Sequence, residues 1–252
     1  MLRQYLKSLA DEFRVQLGME DSETINAQDY IYAIEEVYQK GFRDGVSGGG
    51  SSGDISMYNI TNNGTRTVYT YGFSYCNLEG VSFTQDIKPT SANSMFANSV
   101  GNVDLSTAFS KNGKSLDFSN CTDANRCFYS SEVNRIGFCD LTKMTNLTGF
   151  FGNCDNLQKI DGVKFSKDKA YTLSNMFIND RKLTDVTASG ELATDGLDLS
   201  ACPLTKESKK SFFKILVETS VKKMIVFGAG EAIPDDDKDL LEALEKGWSV
   251  TV

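Results

Sequence analysis

The chain has 252 residues, a hydrophobic content of 40% and a formal net charge of −8. That length and apolar fraction suffice for a buried core, while the acidity argues against nucleic acid or an anionic membrane as the main partner, since both select a basic face. No stretch approaches the roughly 20 apolar residues that span a bilayer. The absence of histidine removes the usual partner of a catalytic Ser or Cys and a usual zinc ligand.

At the N-terminus Leu2, Tyr5, Leu6, Leu9, Phe13 and Leu17 recur at helical spacing, and Gly18 closes the helix. A second helix starts at Asn26, which can cap the Asp29 amide, and carries Tyr30, Ile31, Ile34, Val37 and Tyr38 as its apolar stripe. Arg3, Lys7, Asp11, Glu12 and Arg14 interrupt the first segment, so it does not read as a signal peptide and export by that route is not expected. Two short helices cannot shelter their stripes alone. Leu2, Tyr5, Leu6, Leu9, Phe13, Ile31, Ile34 and Val37 are therefore expected to face copies of this chain or a host structure. The sequence divides into a helical anchor over 1–46, a Gly/Ser joint over 47–54, a repeat-like domain over 55–204 and a capping unit over 205–252.

The run from Leu6 to Gly18, followed by Ile25-Asn26-Ala27-Gln28-Asp29-Tyr30 and by Lys40-Gly41-Phe42-Arg43-Asp44-Gly45, is similar to N-terminal segments of tail-fibre and baseplate proteins in phages of Gram-positive bacteria. That resemblance covers about a fifth of the chain. It implies a virion-attachment module, assembled in the host cytoplasm, that carries a variable distal domain and forms trimers.

Downstream, phenylalanines recur ahead of a small or polar residue and an aliphatic one. Phe73 and Phe96 stand 23 residues apart, Phe128 and Phe151 again 23, and Phe151 and Phe177 26, whereas Phe96 to Phe128 is 32. Phe109 and Phe213 are weaker members. A period of about 20–29 residues predicts stacked units, each burying its apolar side against the next. Short strands are expected at Val103–Leu105, Leu116–Phe118, Arg135–Phe138, Lys159–Asp161 and Leu197–Leu199, where apolar and polar residues alternate.

The run Leu173 to Leu183 resembles the MF-x-x-C-x-x-L core of BspA-like leucine-rich repeats of bacterial surface proteins, as does Met144 to Leu157. Ser99, Ser131 and Asp180 depart from it by replacing the Cys. The resemblance implies adhesion or recognition and no catalytic chemistry. The expected fold is α+β: an N-terminal helical hairpin, then an irregular leucine-rich-repeat-like β-solenoid, then an α/β cap. That cap reads as a helix over 205–219, a strand over 222–227, a helix over 239–246 and a last strand over 248–252.

Six cysteines lie scattered with no C-x-x-C pair, which points to free, buried thiols rather than a zinc site or disulfides. Asp235-Asp236-Asp237 could offer carboxylates to calcium, but acidic residues after Pro234 also suit a helix start. Gly228-Ala229-Gly230 is a turn, lacking the rest of a dinucleotide fingerprint. Carboxylate pairs of the glycosidase kind form in space and stay open. No enzyme activity, cofactor, resident metal or membrane insertion is expected. Tyr58, Tyr69, Tyr71, Tyr75 and Tyr129, interleaved with Asn and Ser, form either a receptor surface or the outward row of strands. The N-terminal resemblance thus implies a phage tail-fibre or tail-tip protein. Its partners would be itself, other tail proteins and a host glycan or surface protein. A bacterial BspA-like surface adhesin and a purely structural virion protein stand as alternatives.

Overall fold

The computed structural model describes residues 68–70, 72–83 and 86–251. The expected anchor over 1–46, the joint over 47–54 and the interface residues from Leu2 to Val37 lie outside the described residues, as do Tyr58 and Tyr71.

From residue 68 to 134 the backbone runs mostly in turns. Neighbouring turns lie parallel and bond at fixed places: the amide of each anchor phenylalanine donates to the carbonyl just before the next anchor. Thus Phe73 N–H donates to Met95 (2.7 Å), Phe96 to Cys127 (2.7 Å), Phe128 to Phe150 (2.8 Å) and Phe151 to Met176 (3.0 Å). Inside, the rings form one row. Successive centroids lie 5.0, 5.2, 5.8 and 5.2 Å apart from Phe73 through Phe96, Phe128 and Phe151 to Phe177. All five are at most 2% exposed. Full burial of one such side chain stabilises by about 1.5–3 kcal/mol, and each ring pair adds roughly 0.5–1.5.

Two residues per turn, flanking the phenylalanine, have left-handed backbone: Ser94 and Asn98, Arg126 and Ser130, Gly149 and Asn153, Asn175 and Asn179, with φ between 49° and 62°. Asn tolerates this region best among the non-glycine residues here, which explains its recurrence. The same geometry forbids an extended strand through the phenylalanines.

Regular elements follow. Helix α1 (Leu105–Ser110) starts where Asp104 caps the Thr107 amide and buries Leu105, Ala108 and Phe109. Strands β1 (Arg135–Asp140), β2 (Lys159–Phe165) and β3 (Asp185–Gly190) make a parallel sheet in that order. Next come β4 (Leu197–Leu199), helix α2 (Lys206–Ile215), β5 (Lys223–Phe227), helix α3 (Lys238–Glu245) and β6 (Trp248–Thr251). Strands β4, β5 and β6 form a second, separate parallel sheet. Thr205 caps α2, with Glu207 in its first turn and Lys214 in its last. Asp237 caps α3, and Gly247 (φ 91°) turns the chain into β6. Lys210 joins the two helices by pairing with Asp237 (3.3 Å) and Asp239 (3.1 Å).

The expected leucine-rich-repeat-like β-solenoid is not the architecture found. Strand structure falls into two three-stranded sheets, and upstream of β1 only isolated bridges occur among the described residues. Two physical causes account for this. Left-handed residues break extension in every phenylalanine turn, and helices occupy sheet edges where further strands would have to pair. The expected strand at Val103–Leu105 is instead the capped start of α1. Leu116–Phe118 supplies only a single bridge, from Leu116 to Ile87. Helix α2 stops at Ile215 rather than running to 219, because Leu216 bridges Leu192 and the Val217 amide donates to Leu192.

The edge of β3 is closed by side chains. Val186 N–H donates to the Ser208 hydroxyl (3.0 Å) and Ala188 N–H to the Ser211 hydroxyl (2.9 Å). Ser208 in turn donates to the Thr184 carbonyl (3.1 Å). Helix α2 thereby replaces the strand that would otherwise extend this sheet. An unmet buried amide costs about 1–3 kcal/mol. The double variant Ser208→Ala/Ser211→Ala is expected to lose about 2–5 kcal/mol in denaturant unfolding; a loss below about 0.5 kcal/mol would show that α2 is not what closes this edge.

Candidate functional site

Two surfaces present chemistry. The first follows the turns. Asn98, Ser130, Asn153 and Asn179 occupy the same place two residues after successive anchors, all left-handed, and the Asn179 amide donates to Asn153 Oδ1 (2.7 Å). Beside them Asp155, Glu132 and Arg181 border a shallow polar depression of about 380 Å3. Among the sequence-expected tyrosines, Tyr75 is 49% exposed at the start of this row, and Tyr129 is half-buried with the Arg126 guanidinium 5.2 Å from its ring centroid. Tyr69 is 5% exposed and packs on Phe73, which removes it from any accessible surface. The repeat anchors Phe73, Phe96, Phe128, Phe151 and Phe177 are all interior.

The second surface is a groove of about 600 Å3 between α1, the 114–119 segment and β1. It arises from an irregularity shared by two strands. In β1 the inward residues Ile136 and Cys139 are three apart, which leaves Gly137 and Phe138 together on the outer side. In β2 the same interval separates Ile160 and Val163, whereas β3 alternates simply through Val186 and Ala188, so the β2–β3 register shifts at this point. Phe138 pairs in register with Gly162, and its ring fills the place of a side chain there: a Cβ on Gly162 would lie 2.8 Å from Phe138 Cδ2. Phe138 stays 51% exposed. Leaving it half in water forgoes about 1 kcal/mol of burial.

Polar groups ring this aromatic. Asp117 accepts from Ser119 N–H (2.9 Å), and that bond above all holds its carboxyl below the usual carboxylate range. Asp140 is fixed by the Thr142 amide and pairs with Lys164 at 3.8 Å. On the same sheet face Arg135 grips Asp161 through Nε (2.9 Å) and Nη2 (2.7 Å), and the Ser106 hydroxyl donates to the other Asp161 oxygen (3.1 Å).

The strongly shifted titratable groups lie elsewhere, in the core. All six cysteines are buried and free. Burial pushes the Cys121 thiol up to about 11 and raises those of Cys127, Cys139, Cys154 and Cys202, so they are thiols rather than nucleophilic thiolates at neutral pH. Lys209 is buried on α2 with its ammonium donating to the Gly228 carbonyl (3.2 Å), and burial lowers its pKa. Asp237, from the acidic triplet, serves as the α3 cap. Among the described residues no group of three or more His, Cys, Asp or Glu is placed to hold a metal ion, and no helix is long and apolar enough to cross a membrane. The chain matches no protein-family model, no curated protein and no solved structure.

Asp180 occupies the place that Cys76 and Cys154 take in their own turns. It is fully buried, one oxygen accepts from Cys154 N–H (2.8 Å), and the other has no partner. Burial pushes its carboxyl up to about 8. A carboxyl raised in the folded state binds a proton that the unfolded chain has already lost, so stability falls as pH climbs from about 4 towards 8. With no histidine, few other side chains titrate there. Asp180→Asn is expected to gain on the wild type by up to about 1.4 kcal/mol per pH unit across that window. Parallel pH–stability curves for the two proteins would show that Asp180 is not buried as a neutral acid.

Proposed function

We propose that this chain is a non-catalytic recognition protein of a phage tail tip or tail fibre. Its N-terminal residues 1–46 attach it to the virion, and the domain spanning residues 68–251 binds a receptor on the bacterial envelope. The observation that carries the binding half is Phe138, a large aromatic held half in water over a glycine at the side of an open groove. An aromatic held open at the side of a groove, with fixed polar groups around it, suits ligand contact.

Electrostatics supports binding over turnover. Catalytic sites place perturbed acids and nucleophiles in a cleft. Here Asp180, Cys154 and Cys202 are sealed in the core, while the groove carboxylate Asp117 is stabilised in its charged form. The attachment half rests on the tail-fibre-like phrases from Leu6 to Gly18 and from Lys40 to Gly45. The apolar stripes of that segment would be sheltered in a symmetric multimer, a trimer by the same likeness.

Deletion of residues 1–46 separates the two halves. The truncated chain is expected to disappear from assembled particles yet still bind host cells at near wild-type level. Particles that carry the truncated chain in normal amount would remove the anchoring role, and loss of cell binding alone would move recognition into the deleted segment.

A further inference from the structure

We infer that the Phe138 groove is a glycan-binding site, a conclusion that rests on the receptor-binding reading and names its ligand class. Phe138 leans on the Gly162 backbone, where any larger residue would displace it, and so keeps a fixed pose with about half its surface open. A pyranose offers a matching apolar face of C–H groups, and contact between the two needs no deep pocket.

The surroundings fit the rest of a sugar. Short hydroxyl side chains, Ser106, Ser110 and Ser119, and the carboxylates of Asp117 and Asp140 line the groove, with Lys114 at one side. Hydroxyls both donate and accept, and carboxylates accept, which is the complement that vicinal sugar hydroxyls require. These groups are short or pinned: Asp117 by Ser119, Asp140 by Thr142. Little side-chain entropy is therefore lost on binding. A groove of about 600 Å3 has room for more than one ring of an oligosaccharide.

A peptide fits less well. Strand addition needs a free sheet edge, and the Asp104–Arg135 bridge, the bond from Asn134 N–H to the Val103 carbonyl (2.9 Å) and α1 occupy the edge of β1.

The test uses the full chain as wild type, Phe138→Ala, Phe138→Trp and Ser110→Arg. Each is applied to immobilised bacterial wall and capsular oligosaccharides, and to host cells treated with periodate or with protease. The wild type is expected to bind at least one oligosaccharide, and cells after protease but not after periodate. Phe138→Ala is expected to weaken oligosaccharide binding about tenfold or more, with Phe138→Trp close to wild type. Ser110→Arg, an exposed position at the groove rim, is expected to block binding without touching the ring. Oligosaccharide binding that survives both Phe138→Ala and Ser110→Arg would overturn the groove assignment while leaving receptor binding intact. Cell binding that only protease abolishes would overturn the glycan class. Binding to neither probe would sink the receptor reading with it.

Discussion

The structure depends on a single row of stacked phenylalanines. From Phe73 to Phe177 the rings hold a near-constant spacing, although the chain between them varies from 23 to 32 residues. Loops of unequal length can close onto a common register only if something within them repeats. The ring supplies the apolar weight, and the paired left-handed residues on either side of it fix the direction in which the chain leaves. Removing one such ring would cost about 3–5 kcal/mol, a large share of the stability of an ordinary domain.

The row also explains why the sheets are small. A turn that must bend twice in five residues to present its phenylalanine cannot continue as a strand, so pairing there is limited to single bridges and isolated amide bonds. Between the phenylalanine turns, extended structure appears in the return segments around Arg135, Lys159 and Asp185. Helix α2 then ends the first sheet through Ser208 and Ser211, and the second sheet begins anew. The groove is a product of the same economy. Its aromatic is outward because β1 and β2 carry one residue too many between their inward positions.

Much of the local structure was legible in the chain. Helix starts near Thr205 and after Pro234 were readable, and the phenylalanine spacing announced an interior row. The assembly was not. Alternation around Leu116–Phe118 and Val103–Leu105 looked like strand, yet partner availability, which is a tertiary property, decided otherwise; β3 at Asp185–Gly190 passed unnoticed for the same reason. Phe138 was missed because Ile136 and Phe138 stand two apart and strict alternation puts them on one face. Gly137, beside Phe138 on β1, and Gly162, opposite it on β2, were the available signal. Among the tyrosines, composition could not separate buried Tyr69 from exposed Tyr75, since their difference lies in which side of a turn each occupies.

Native-state hydrogen exchange reads the hold of the ring row amide by amide. The amides of Phe96, Phe128 and Phe151, each bonded to the neighbouring turn, should exchange among the slowest in the protein. Phe128→Ala should lower protection in the turns on both sides of it. Fast exchange at those three amides, with protection confined to β4, β5 and β6, would mean that the ring row follows from the fold rather than holding it together.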